Sequence, residues 1–410
     1  MPPKKKQPKK SHRPRHGEGS FYWRERDQRW VGTIEAGYTA KGTRRRIVVT
    51  DRDEDAAWDK YMVKRKQLLT EGRAAALQKS ITVQAWLTTW LDHQATVLRP
   101  NTYSGHASYV RRWIIPTIGR RPLDELTSAD VRSVARAVIT AGRSSTTAAT
   151  VQSVLQKALR DAVIEGYMVP QAALEVPKPA KRESDRDALT LADAALVLDA
   201  ASRRPDGARW VAALLQGMRQ GECLGLTWDA VDFKRKRIDV SWQLQPLPYL
   251  DRDRDTFRVP DGYEARRLEG AFHLVRPKSK SGQRVIPMLP WMVEPLEAWR
   301  QVAPPSPHGL VWPRPDGKPQ TDKADRAAWY ALTDEAKVRH PSGRRYVLHE
   351  ARGTTATLLL AAEVDEKIIT AIMGHSTILM SRAYMSVDEE MLRGALEKVG
   401  RLALTLPAGS

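Results

Sequence analysis

Cysteine is nearly absent from this chain of 410 residues, where Cys223 stands alone. A single thiol excludes a disulfide within the chain and any zinc site built on paired cysteines. Following Glu222 in an apolar stretch, it reads as a core residue. No apolar run approaches membrane-spanning length. The N-terminus is basic and lacks the apolar segment of a secretory signal. No Walker-type phosphate loop, acidic cluster or zinc-ligand spacing occurs either. What remains is a soluble protein of a reducing compartment, expected in the cytoplasm, with no membrane partner, no metal and no cofactor.

What the chain has in excess is positive charge. Lys and Arg number 67 against 48 Asp and Glu, giving a formal charge of +19 and a pI of about 10.0. Such a balance implies a polyanionic partner, nucleic acid first. With 41% hydrophobic residues a sizeable core is available, and the length suits two or three domains.

Residues 1–17 form a low-complexity basic tail with Lys4, Lys5 and Lys6, and no acid occurs before Glu18. It cannot bury a core and is expected to be disordered alone, available to a DNA backbone. Residues 18–73 read as a small domain. Three short strands are expected at 20–24, 28–34 and 44–49, with turns at Asp27-Gln28 and Ala40-Lys41-Gly42. A helix from about Asp53 to Glu71 follows, with Ala56, Ala57, Met62, Leu68 and Leu69 among its apolar residues. Arg24, Arg29, Arg44, Arg45 and Arg46 interleave with aromatics on the strands. A sheet that buries one face and offers the other to phosphates needs that pattern.

Residues 73–79 read as a linker, and 81–176 as four helices. The first spans 83–97 with Trp86, Leu87, Trp90 and Leu91 at helical spacing; the second opens at Pro100 and carries Arg111 and Arg112. The third starts after Thr127, a plausible cap, and the fourth covers about 145–165. A stiff basic connector, Pro177 to Arg182, leads to a third unit at 189–400, with 401–410 as a tail. In that unit 246–270 shows no period and reads as an inserted loop, and 277–287 reads as a hairpin with a basic turn.

The chemistry gathers in this last unit. Gly217-Met218-Arg219-Gln220-Gly221-Glu222 supplies one arginine. Leu348-His349-Glu350-Ala351-Arg352-Gly353-Thr354-Thr355-Ala356-Thr357 supplies a histidine and an arginine at i and i+3, on one helix face. Met373-Gly374-His375 follows, with Tyr384 nine residues after the histidine. Guanidinium forks match phosphate oxygens, and a tyrosine hydroxyl can attack phosphorus and hold the broken bond as an ester. Each residue alone is unspecific; the ordered set is not.

With that set, from roughly Gly19 to Val399, the chain resembles the tyrosine recombinases, in particular the large arm-binding phage integrases. The resemblance implies a multidomain α+β fold: a three-stranded arm-binding domain with one helix, an all-α core-binding domain, and a mainly α catalytic domain with a small sheet. It implies that Arg219 and Arg352 clamp the scissile phosphate, Lys278 protonates the leaving 5′-oxygen and His349 assists proton transfer. His375 would hydrogen-bond the phosphate, Glu222 would orient the basic groups, and Tyr384 would attack. Lys280, two residues beyond Lys278 on the same face of an ideal strand, remains an alternative acid and a DNA contact. Gly353 and Glu350 depart from the family's usual histidine and aspartate. The implied partners are core and arm attachment sites in duplex DNA, three further protomers in a tetramer, and a directionality or DNA-bending factor, in a bacterial nucleoid. The segment after the tyrosine commonly docks on a neighbouring protomer in that family; packing on its own domain is the other possibility. A type IB topoisomerase or a non-catalytic DNA-binding regulator are the alternative functions.

Overall fold

The computed structural model describes residues 19–38, 44–70, 81–180, 186–374 and 389–404. The tail with Lys4, Lys5 and Lys6, the turn at Ala40-Lys41-Gly42, the 73–79 linker, His375 and Tyr384 lie outside the described residues. The chain divides into two compact units, Met1–Val97 with Thr102–Arg182, and Leu98–Asn101 with Glu183–Ser410.

In the first unit, strands Ser20–Arg24, Arg29–Tyr38 and Arg44–Asp51 form an antiparallel sheet in chain order. Register sets Phe21 opposite Gly32, Trp23 opposite Trp30 and Ile34 opposite Ile47, which makes one face apolar. The Glu54–Thr70 helix covers that face through Ala57, Trp58 and Tyr61. Met62 is exposed, because Ala57 and Tyr61, four apart, set the buried stripe. Gly32 marks the closest approach, since a Cβ there would lie 2.8 Å from the Tyr61 ring.

The helical part of this unit follows its sequence signals closely. Val83–Val97 buries Trp86 and Trp90, and each indole also finds an acceptor on the Ser145–Ile164 helix. Trp86 donates to Ala158 O at 2.8 Å and Trp90 to Asp161 Oδ2 at 2.7 Å. Buried indoles usually find such partners, and here they fix how the two helices meet. The Ser128–Thr140 helix starts on a reciprocal cap between Thr127 and Asp130, an arrangement worth about 1 kcal/mol. Pro100–Tyr109 runs on through a π-helical turn, Val110–Ile114, and ends at Ile118.

In the second unit, Leu191–Ser202, Ala208–Leu214, Pro290–Val302, Asp322–Glu335, Leu348–Ala361 and Glu389–Leu404 enclose a core that includes Trp210, Trp329, Leu358 and Leu396. The C-terminal helix therefore packs on its own domain. Leu396, Val399 and Ala403 are buried in this core, and Gly400 lies so close to Trp291 that a Cβ would be 2.6 Å from its Nε1.

Two expectations fail here. The 246–270 stretch is not an irregular loop. Tyr249–Asp251 pairs with Thr256–Phe257, and Ala265–Glu269 pairs with Phe272–Val275. Tyr249–Asp251, Thr256–Phe257 and Ala265–Glu269 contain no buried residue, so no apolar alternation betrays them. Exposed ion pairs join them, Arg276 Nε to Glu264 at 2.9 Å, Lys318 Nζ to Glu269 at 2.6 Å and Arg267 to Asp255, and Leu268 and Phe272 pack against Leu244 and Leu274. Nor is 277–287 a hairpin. Phe272–Val275 pairs with Gln243–Pro246, whereas Arg284–Pro287 pairs with Arg237–Val240, each with a partner earlier in the chain. Between them lie a bend and a 3-10 turn, Lys280–Gly282, so strand parity does not relate Lys278 to Lys280.

Candidate active site

The Leu348–Ala361 helix carries His349 and Arg352, and polar bonds set its rotation. Thr355 Oγ1 donates to Leu214 O at 2.8 Å, at the end of the Ala208–Leu214 helix. Thr354 Oγ1 accepts from Leu189 N at 2.9 Å. At the helix start the buried Glu350 carboxylate accepts from Val347 N at 2.6 Å and from both Nη atoms of Arg344 at 3.0 and 2.7 Å. Glu350 thus caps the helix from which His349 and Arg352 project.

Arg352 is buried, and donates to Gly217 O and Met373 O. Gly217 itself has φ +60°, and a Cβ there would meet Met373 Sδ at 2.7 Å, so only glycine brings this carbonyl to the guanidinium. Arg219 lies directly before the Gln220–Leu224 helix, and its Nη2 donates to Gly374 O at 2.8 Å. Its other side is held by Glu222, which accepts from Arg219 Nη1 at 2.6 Å and from Arg219 N at 2.8 Å.

Electrostatics follow from this crowding. Burial, with Arg219 and Arg284 close by, pushes the Arg352 pKa down to about 9, which leaves it charged at neutral pH. Partial desolvation and the charges of Arg352, Arg186 and Arg219 lower the His349 pKa, so the neutral imidazole is favoured. Burial alone would raise the Glu222 pKa, but bonds and charge from Arg284 and Arg219 outweigh it and the net direction is down. Cys223, fully buried beside them, is pushed up to about 12 by desolvation and stays a thiol, as expected of a core residue.

Arg219, His349 and Arg352 line one cavity of about 430 Å³, together with Arg186, Arg209 and Arg326. Glu222 touches Arg219 from behind. Lys278 is exposed in its turn and does not line this cavity, and the Lys280 side chain lies outside the described part. Arg24 and Arg29 are paired across the first two strands of the small sheet; Arg24 is bound to Asp27 at 2.7 Å, and Arg46 lies 3.8 Å from Glu35. Arg44 and Arg45 open the third strand. Arg111 and Arg112 are exposed on the π-helical turn.

Sequence reasoning missed Arg284, whose guanidinium meets Glu222 from the far side at 3.1 and 2.9 Å. The signal was its parity with the buried Ile286, which makes it an inward-facing arginine. It also missed Arg209, buried against Asp325 at 3.0 and 2.7 Å in the wall of the cavity.

Two family models match the chain: the phage integrase central domain over residues 83–175 and the phage integrase family over residues 198–391. The chain belongs to the phage integrase family of tyrosine recombinases. An integrase of Saccharopolyspora erythraea is 25% identical, over 91% of this chain and 94% of the relative. Among solved structures, the Tn1549 transposon integrase in complex with transposon right-end DNA superposes with a TM-score of 0.61 at 20% identity, covering 78% of this chain and 99% of that one. A lambda integrase tetramer bound to a Holliday junction gives 0.54 at 15% identity, covering 92% and 99%. This recombinase therefore shares their fold, with a small N-terminal sheet, many helices, and small sheets in its C-terminal unit.

Proposed function

We propose that this recombinase cleaves and rejoins duplex DNA at specific sites through a covalent bond to Tyr384. The observation that carries the reading is the convergence of Arg219, His349 and Arg352 on one cavity, next to the Gly374 turn that leads to His375. Arg219 and Arg352 neutralise the charge that grows on the non-bridging oxygens as the phosphorus becomes pentacoordinate. The Tyr384 oxygen attacks phosphorus, its proton passing to neutral His349. The bond from phosphorus to the 5′-oxygen breaks, and that oxygen takes a proton from Lys278. A 3′-phosphotyrosyl ester keeps the bond energy, so the reverse attack by a new 5′-hydroxyl rejoins the strand.

Four protomers on two core sites would exchange strands through a Holliday junction, as the lambda integrase tetramer is seen to bind. In the same proposal residues 18–73, with the basic tail, form the arm-site domain. Arg24, Arg29, Arg44, Arg45 and Arg46 on its sheet and Lys4, Lys5 and Lys6 on the tail contact DNA. Residues 81–176, with Arg111 and Arg112, clamp the core site, and 189–400 catalyse.

A suicide substrate nicked beside the scissile phosphate tests the chemistry. Wild type should be trapped as a protein–DNA adduct on denaturing gels, and Tyr384→Phe should bind but form none. An adduct with Tyr384→Phe would show that the nucleophile lies elsewhere. Deleting residues 1–73 tests the division of labour: arm-site binding should vanish while core-site binding persists, and undiminished arm-site affinity would refute it.

A further inference from the structure

Arg284 is buried, with its side chain 7% exposed, and reaches three separate segments. Its Nη1 and Nη2 donate to Glu222 Oε1 and Oε2 at 3.1 and 2.9 Å. Its Nε donates to Ile372 O at 2.7 Å, in the last turn before Gly374. Nη1 also reaches Gly282 O at 3.3 Å, at the end of the turn that follows Lys278. Gly374 rests on the same side chain: a Cβ there would lie 2.9 Å from Arg284 Nη1 and 2.8 Å from Ser281 O.

The charge count gives these contacts a chemical meaning. The Glu222 carboxylate, whose side chain is fully buried, sits between two guanidiniums. Arg219, Glu222 and Arg284 together carry one net positive charge. Without Arg284, Arg219 and Glu222 would form a neutral pair, and Arg219 would present a phosphate with little field. A buried carboxylate left with one partner also draws that partner more tightly, which costs a phosphate the N–H groups it needs.

We propose that Arg284 is a positioning residue for phosphodiester cleavage. By sharing the Glu222 carboxylate it leaves the charge of Arg219 available to the scissile phosphate. The proposal rests on the reading that Arg219 binds that phosphate.

The test compares half-site affinity with the single-turnover rate of adduct formation on the nicked substrate, using the full chain. Arg284→Met should bind within about threefold of wild type yet form the adduct roughly a hundredfold more slowly. Arg284→Lys restores the charge without the fork and should stay within about fivefold of the wild-type rate. Arg284→Met combined with Glu222→Gln removes both buried charges and should cleave within about tenfold of wild type. That double variant carries the test if Arg284→Met does not fold, and a hundredfold loss in it would overturn the proposal. Wild-type cleavage by Arg284→Met, or equal losses in the Lys and Met variants, would overturn it too, with the recombinase reading left intact. Absence of any adduct with wild type would overturn both.

Discussion

Arg219 and Arg352 hold neighbouring carbonyls: Arg219 Nη2 donates to Gly374 O and Arg352 Nη2 to Met373 O. Two arginines from distant parts of the sequence thus grip the turn that delivers His375. They differ in depth, since the Arg219 side chain is 32% exposed and Arg352 only 3% as a residue.

That difference separates two variants. Arg219→Ala and Arg352→Ala should each slow adduct formation by on the order of a hundredfold, far more than they weaken half-site binding. Arg352→Ala should in addition lower the melting temperature by several degrees, because two buried charge-assisted bonds of roughly 1.5–3 kcal/mol each disappear. Thermal unfolding beside single-turnover kinetics checks both. Equal losses of affinity and rate would mark the pair as ordinary backbone contacts, and an unshifted melt for Arg352→Ala would contradict its place in the core.

His349 predicts the pH profile. Desolvation, Arg352, Arg186 and Arg219 lower its pKa from the ordinary 6.5, so it is neutral at pH 7 and protonates only under more acidic conditions. As the base for Tyr384 it should place the midpoint of the acid decline in cleavage rate below pH 6.5. His349→Asn should lose this acid limb. A decline centred above pH 6.5 would exclude His349 as the group that titrates.

The C-terminal helix supplies a third expectation. Truncation after Ser386 removes Leu396, Val399 and Ala403 from the core that also holds Trp210 and Leu358. Burial of each large apolar side chain contributes about 1.5–3 kcal/mol, so the shortened protein should melt well below wild type or fail to fold. Calorimetry decides the matter. An unchanged melting temperature would mean that the helix serves something other than its own domain.

How legible this was depended on where the physical signal sat. The 83–97 helix was readable to both ends because Trp86, Leu87, Trp90 and Leu91 recur at helical spacing and all face a core. Thr127 was readable as a cap because capping is local. The strands within 246–270 were not, since they bury too little for alternation to show. The false hairpin at 277–287 arose because adjacency suggested pairing, while the true partner at Arg237–Val240 lies 44 to 50 residues earlier. In the site, Arg219, His349 and Arg352 stood out by motif and do meet at one cavity. Arg284 did not stand out: its parity with Ile286 marks it as inward-facing, but the Glu222 carboxylate that it shares is a three-dimensional fact.

The two small hairpins of 246–276 carry six arginines and six acids, and several of these charges are matched within the segment or to Lys318. The segment is therefore neutral as a whole: it adds surface to a strongly basic protein without adding to its net charge. Its net neutrality leaves the excess positive charge, and the counterion release that this charge drives, on other parts of the chain. Plots of log affinity against log salt should keep their slope if the Tyr249–Phe257 hairpin is shortened, whatever happens to the affinity itself.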